Sequence, residues 1–187
     1  MSSRLSLLAA TALFAAAPAA AQAQNASDRA MPAQAGDPST EDFARAATEG
    51  GLAELMLSYL ALQKAEGEGG VEDFAWTMIE HHGSAVGDLA QSVGDRADSA
   101  PLRLPMEPSA EQMQEIERLR GLDGEAFARA YFAHQVEAHR AAVALYEAGS
   151  RVPDESVAQY AATTLPVLRA HLEIAEMMRM EVGSNRR

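Results

Sequence analysis

The sequence contains no cysteine. That excludes disulfides, thiolate-bound metals and a lipid anchor attached through a cysteine. Aromatic residues are scarce, with one Trp, five Phe and four Tyr in 187 residues, so any core has to be made mainly from Ala, Leu, Val and Met. No stretch alternates β-branched and polar residues in the way a half-buried strand does. What is left favours helix. Positive charge is also short, since 15 Lys and Arg stand against 27 Asp and Glu, a formal net charge of −12. Phosphate repels a surface of that sign, which argues against nucleic acid and against anionic lipid surfaces as partners.

A long hydrophobic span is missing too. The apolar run Leu5 to Ala16 falls short of the roughly 20 residues that cross hydrocarbon. It follows Arg4 and leads to the small-x-small triplet Ala21-Gln22-Ala23, which are the three parts of a secretory signal. We expect residues 1–23 to be a signal peptide cut after Ala23, leaving an exported chain with no integral membrane segment. Residues 24–39 are rich in Ala, Pro, Ser, Gly and Asp without periodicity and read as a flexible leader. A single helical domain is expected over 40–182, followed by a short tail, 183–187.

Helix punctuation within that domain is clear. Ser39-Thr40 followed by Glu41-Asp42 opens a first helix expected to reach Ala65, where a Gly-rich segment breaks it. A second helix is expected from Val71 to Val93, ending at Gly94 and followed by a loop containing Pro101, Pro105 and Pro108. Ser109-Ala110-Glu111-Gln112 is a capping box for a short helix to Arg120. Asp123 can cap a longer one to Glu147 or Ala148, and Asp154 caps a last one towards Glu181. Pro166 lies inside this last segment, removing one backbone bond and crowding the preceding turn, so a kink or break is expected near Thr164.

At 100° per residue, each long helix places one polar side chain within an apolar stripe. His82 shares its stripe with Met78, Leu89 and Val93; His139 with Phe132, Val136 and Tyr146; His171 with Tyr160, Leu168 and Met178. Glu54 shares one with Phe43, Leu57 and Ser58, although the first helix offers a second apolar face through Leu52, Leu55, Met56 and Tyr59. His81 falls at the edge of its stripe and His134 points towards solvent.

Four polar groups inside one bundle cost several kcal/mol unless they find partners. Two arrangements satisfy them. Glu54, His82, His139 and His171 can form the first shell of a transition metal: zinc, copper, iron, nickel or manganese. Alternatively they form a hydrogen-bonded layer that fixes helix register, the histidines pairing with Glu54, Gln135 or Tyr and Thr hydroxyls. A di-iron centre is disfavoured, because the positions three residues before the histidines hold Ile79, Val136 and Leu168 rather than Glu. Met177, Met178 and Met180 suggest soft copper ligands, but they do not share one face, and Met is a common core filler. Glu115, Glu117 and Glu125 read as a solvated face.

Four segments together carry a family resemblance: Glu49-Gly50-Gly51-Leu52-Ala53-Glu54-Leu55, Phe74 to His82, Tyr131 to His139, and Thr164 to Leu172. In this order and spacing the chain resembles the bacterial domain of unknown function 4142 family over about Thr40 to Met178. The resemblance implies an all-α, ferritin-like four-helix bundle with one short extra helix, export to the periplasm or cell envelope, and no established biochemical activity. At matching positions the family pattern also carries Glu54, His82, His139 and His171. Members usually have an acid just before the second-helix histidine, where this chain has His81, which gives His81 a better chance of touching a site than its angle does.

The function expected is thus an exported helical bundle of uncharacterised role that binds a transition metal in its core, catalysis not being implied. The alternative is a non-catalytic envelope or stress-related interaction module whose buried polar layer is structural. An oxidoreductase using a bound metal ranks third. The sequence leaves protein partner and oligomeric state open.

Overall fold

Residues 37–65, 69–94 and 102–184 are described in a computed structural model. The expected signal peptide, most of the leader, the Gly-rich break at 66–68 and Pro101 lie outside the described residues. The described residues form five helices: α1 Thr40–Lys64, α2 Gly69–Gly94, α3 Ala110–Arg120, α4 Gly124–Gly149 and α5 Glu155–Ser184. The fold is an all-α bundle. Among the described residues no helix is long and apolar enough to cross a membrane.

Local chemistry explains most helix ends. The Ser39 hydroxyl accepts from the Asp42 amide at 3.1 Å at the start of α1, satisfying one of the free N–H groups there. The Ser109 capping box is reciprocal, with the Ser109 amide bonding Gln112 Oε1 at 2.8 Å and the Gln112 amide bonding the Ser109 hydroxyl at 3.3 Å. Asp154 Oδ1 accepts from the Val157 amide at 3.1 Å and opens α5. Asp123 departs from expectation: its carboxylate makes no cap bond and instead takes the Lys64 ammonium at 2.6 Å. That ion pair ties the end of α1 to the start of α4. Gly124, the first residue of α4, has a φ of +50°, which a glycine adopts without steric cost.

Of the two outcomes expected at Pro166, the break does not occur. α5 is continuous from Glu155 to Ser184 with Pro166 inside it. The carbonyl Pro166 leaves without a partner, that of Ala162, belongs to an exposed residue, where water can replace the lost donor. Just upstream, Thr163 and Thr164 donate their hydroxyls to the Tyr160 carbonyl at 3.0 and 2.9 Å. At the other end of the domain, Asp37, expected in the flexible leader, is ion-paired with Arg151.

α1 packs along α2 and α4 along α5, and the two hairpins meet through α1 with α4 and α2 with α5. The core has two apolar halves. One contains Leu57, Phe74, Met78, Phe127, Tyr131 and Phe132; the other contains Phe43, Leu89, Tyr146, Val157, Tyr160 and Leu168. α2 and α4 both start in the first half and end in the second, whereas α1 and α5 run the other way. The connection from α2 to α4 must therefore return along the length of the bundle. Leu102 and Leu104 pack on the second half, Ile116 and Leu119 of α3 on the first, which traces that return. His82, His139 and His171 lie between the two halves on their helices and Glu54 lies at the margin of the first half, between Ala53 and Leu57, so the bundle's apolar interior is interrupted by polar side chains from all four long helices.

Candidate metal centre

All four residues picked out by helical periodicity are buried, at 7 % exposure for Glu54 and His82, 1 % for His139 and 2 % for His171. On α1 the stripe of Phe43, Leu57 and Ser58 is the buried one, while Tyr59 on the alternative face is 53 % exposed. This settles which way Glu54 points. His134 is half-buried and pairs with Glu115 at 3.4 Å. Met177 and Met180 are exposed, so no cluster of buried thioethers forms there.

The three histidines converge. One ring nitrogen from each of His82, His139 and His171 lies within 4.8 Å of the others. Ring centres are 5.6 Å apart for His82 and His139, 5.4 Å for His82 and His171, and 5.3 Å for His139 and His171. With metal–nitrogen bonds of about 2.05 Å and ring centres roughly 1.1 Å further out, tetrahedral angles put three imidazole centres roughly 5.2 Å apart. The observed triangle has that size. Nitrogens that share one such ion are roughly 3.3 Å apart, so the rings have to turn inward from the observed arrangement to complete a first shell.

The protonation pattern suits the same use. His139 Nδ1 donates to the Gln135 carbonyl one turn earlier, at 3.0 Å. Because a carbonyl only accepts, the proton is on Nδ1 and the lone pair on Nε2. His171 Nε2 lies 2.8 Å from His81 Nδ1, in two nearly coplanar rings that meet edge to edge, with centres 5.1 Å apart and planes 9° apart. His82 Nε2, His139 Nε2 and His171 Nδ1 are all buried without a hydrogen-bond partner. Buried imidazole nitrogens left without a partner beside a convergent histidine cluster call for a cation or a guest donor.

Burial, with Glu54 opposing it and His139 and His81 adding to it, lowers the His82 pKa to about 4. His171 is lowered to about 2 by burial and by the neighbouring His82, His139 and His81. At neutral pH both rings are uncharged, which is the form a metal binds.

Glu54 is placed differently from the histidines. Its Oε2 accepts from Gln135 Nε2 at 2.8 Å, and among the described residues no carboxylate oxygen joins the group of three nitrogens. It lines the same cavity as His82 and His139, close enough for its charge to raise the His82 pKa. Around it, Gln135 Oε1 is buried and unpartnered, and the buried hydroxyls of Ser58 and Tyr131 lie close enough to interact with each other. Burial and the Glu54 charge push the Tyr131 pKa far above its ordinary value, so the phenol stays protonated. Ser58 and Tyr131 sit one turn from Glu54 and Gln135 respectively, a spacing visible in the sequence. His81 was harder to find, because its backbone angle points to the stripe's edge and the imidazole reaches sideways to His171 from an exposed position.

These features define a class: an all-α bundle whose split core holds three convergent, buried histidines and a neighbouring carboxylate. Residues 15–178 match the family described as domain of unknown function (DUF4142), and the chain belongs to that family. No curated protein and no solved structure matches the chain.

Proposed function

We propose that the bundle binds one transition-metal ion through His82, His139 and His171, with Glu54 as a fourth ligand or as the charge beside the ion, in a chain exported to the periplasm or cell envelope. The observation that carries this reading is the convergence of one ring nitrogen from each of three buried histidines, each of which also has a buried nitrogen without a hydrogen-bond partner. Three imidazoles suit zinc, copper, iron or nickel better than magnesium or calcium, which take oxygen ligands. Export rests on the composition of residues 1–23 and on the family resemblance.

A second reading, that the polar layer is structural, is favoured by one observation: Glu54 is already bonded to Gln135. In that case water would fill the space between the histidines and the layer would serve to fix helix register. Metal content separates the two. Protein purified from the periplasm is expected to carry close to one equivalent of a transition metal, falling below about a tenth in His82→Ala and His139→Ala. Less than about a tenth of an equivalent in the unaltered protein, together with no rise in Tm on adding zinc, copper or nickel, would rule the metal reading out.

A further inference from the structure

The histidine cluster stands at the inner end of a cavity larger than a metal ion requires. A cleft of about 820 Å³ opens between α1 and α4, beside α3. Its inner end presents Glu54, His82 and His139, and its walls include Leu57, Leu145, Leu168 and Tyr146. Arg118, Glu115 and His134 lie at its more exposed side. His171 does not line it; that ring is contacted from the opposite side by His81.

The cleft exists because small residues stand where bundle helices usually interdigitate. Ala46, Gly50 and Ala53 on α1 face it, as do Ala138, Ala141 and Ala142 on α4. Elsewhere the same helices meet through Phe, Leu and Tyr side chains. A core built for stability alone fills such a space, since each void forfeits contacts on every side. The volume lies within the range of small-molecule sites, roughly 300–1,000 Å³.

We propose that this cleft binds a small, largely apolar molecule through its alkyl and aromatic walls and directs one donor atom of that molecule onto the metal held by the histidines. The proposal rests on the metal reading above. Two of the three histidines face the cleft, so an ion bound to them is reached from it, and a site with three protein ligands leaves a position for an exogenous one. Besides Glu54 the lining includes Glu49 and Glu115, ion-paired with Arg45 and Arg118, and the exposed Glu111; a guest with a hydrocarbon body matches the alkyl and aromatic side chains between them, and a single polar end matches the polar inner end.

The test uses the full-length exported protein loaded with cobalt(II), whose visible bands report its ligands, titrated with imidazole and with 4-phenylimidazole. Both are expected to change the bands, and 4-phenylimidazole is expected to bind at least about tenfold more tightly, because only its phenyl ring fills the cleft. Ala142→Trp is expected to remove that advantage, and Ala142→Leu to reduce it, with cobalt content measured on the same samples. Equal affinity for the two imidazoles in a cobalt-loaded protein would overturn the proposal.

Failure to take cobalt would instead overturn the metal reading. The apolar cleft is then tested by N-phenyl-1-naphthylamine fluorescence on the metal-free protein. Enhancement that disappears in Ala142→Trp supports the cleft as an apolar binding site, and no enhancement with the unaltered protein overturns it.

Discussion

His81 and His171 meet edge to edge between α2 and α5 as nearly coplanar rings, with Nδ1 of the first 2.8 Å from Nε2 of the second. One of these nitrogens carries the proton. If it is His171 Nε2, the lone pair of His171 is on Nδ1, the atom left unpartnered beside His82 and His139. His81 then fixes the orientation and tautomer of a ligand without touching the metal itself, as hydrogen-bonded partners of ligating histidines generally do.

That relationship yields the first prediction. His81→Ala is expected to weaken metal affinity by about 10- to 100-fold while retaining the one-to-one stoichiometry. His81→Gln, whose side-chain oxygen can still accept from His171, is expected to recover part of the loss. Competition titration against a chelator of known affinity measures both. An unchanged affinity in His81→Ala would remove His81 from the account.

Glu54 separates structural from electrostatic roles. Glu54→Ala leaves the Gln135 amide without its partner in the core and is expected to cost about 1–3 kcal/mol of stability even without metal. Glu54→Gln keeps the volume and an accepting oxygen, so its metal-free urea midpoint should stay close to that of the unaltered protein. Its metal affinity should nevertheless fall, because a negative charge next to a divalent ion is gone. A Glu54→Gln protein that binds metal as tightly as before would limit Glu54 to holding Gln135.

The depressed histidines make the metal-free fold sensitive to acid. In the unfolded chain His82 takes up a proton as pH falls through about 6.5, whereas in the fold it resists down to about 4. Between these values the unfolded state binds more protons, so stability must fall as pH falls, and above about 7 this group adds no slope. The loss attributable to His82 is about 3 kcal/mol by pH 4. His171, lowered to about 2, extends the same trend to more acidic pH. Urea midpoints of metal-free protein from pH 7.5 to 4 are expected to drop steadily, and less steeply in His82→Gln. A flat profile across that interval would contradict the burial of these rings as neutral groups.

Much of this was legible in the residues, for identifiable reasons. Ser39, Ser109 and Asp154 announce helix starts because a cap is a contact within four residues of chain. Asp123 was misread as a capping side chain because its partner, Lys64, comes from another helix, and no local pattern reports that. The inward direction of His82, His139 and His171 followed from the 3.6-residue period alone. Their convergence depended on helix order and on the returning crossover between α2 and α4, which periodicity does not contain. His81 shows the same limit at smaller scale: its helix angle was read correctly, but an imidazole is long enough to reach a neighbouring helix from the margin. The cleft was invisible in the sequence, since alanine on an inner helix face ordinarily marks close packing.

The most direct test of the central claim is X-ray absorption on the zinc-loaded protein, which counts imidazoles around the ion and measures their distances. The account predicts three imidazole nitrogens at about 2.0–2.1 Å with one further light ligand, and two imidazoles in His139→Ala. Zinc surrounded by oxygen alone, or an imidazole count that His139→Ala leaves unchanged, would contradict it.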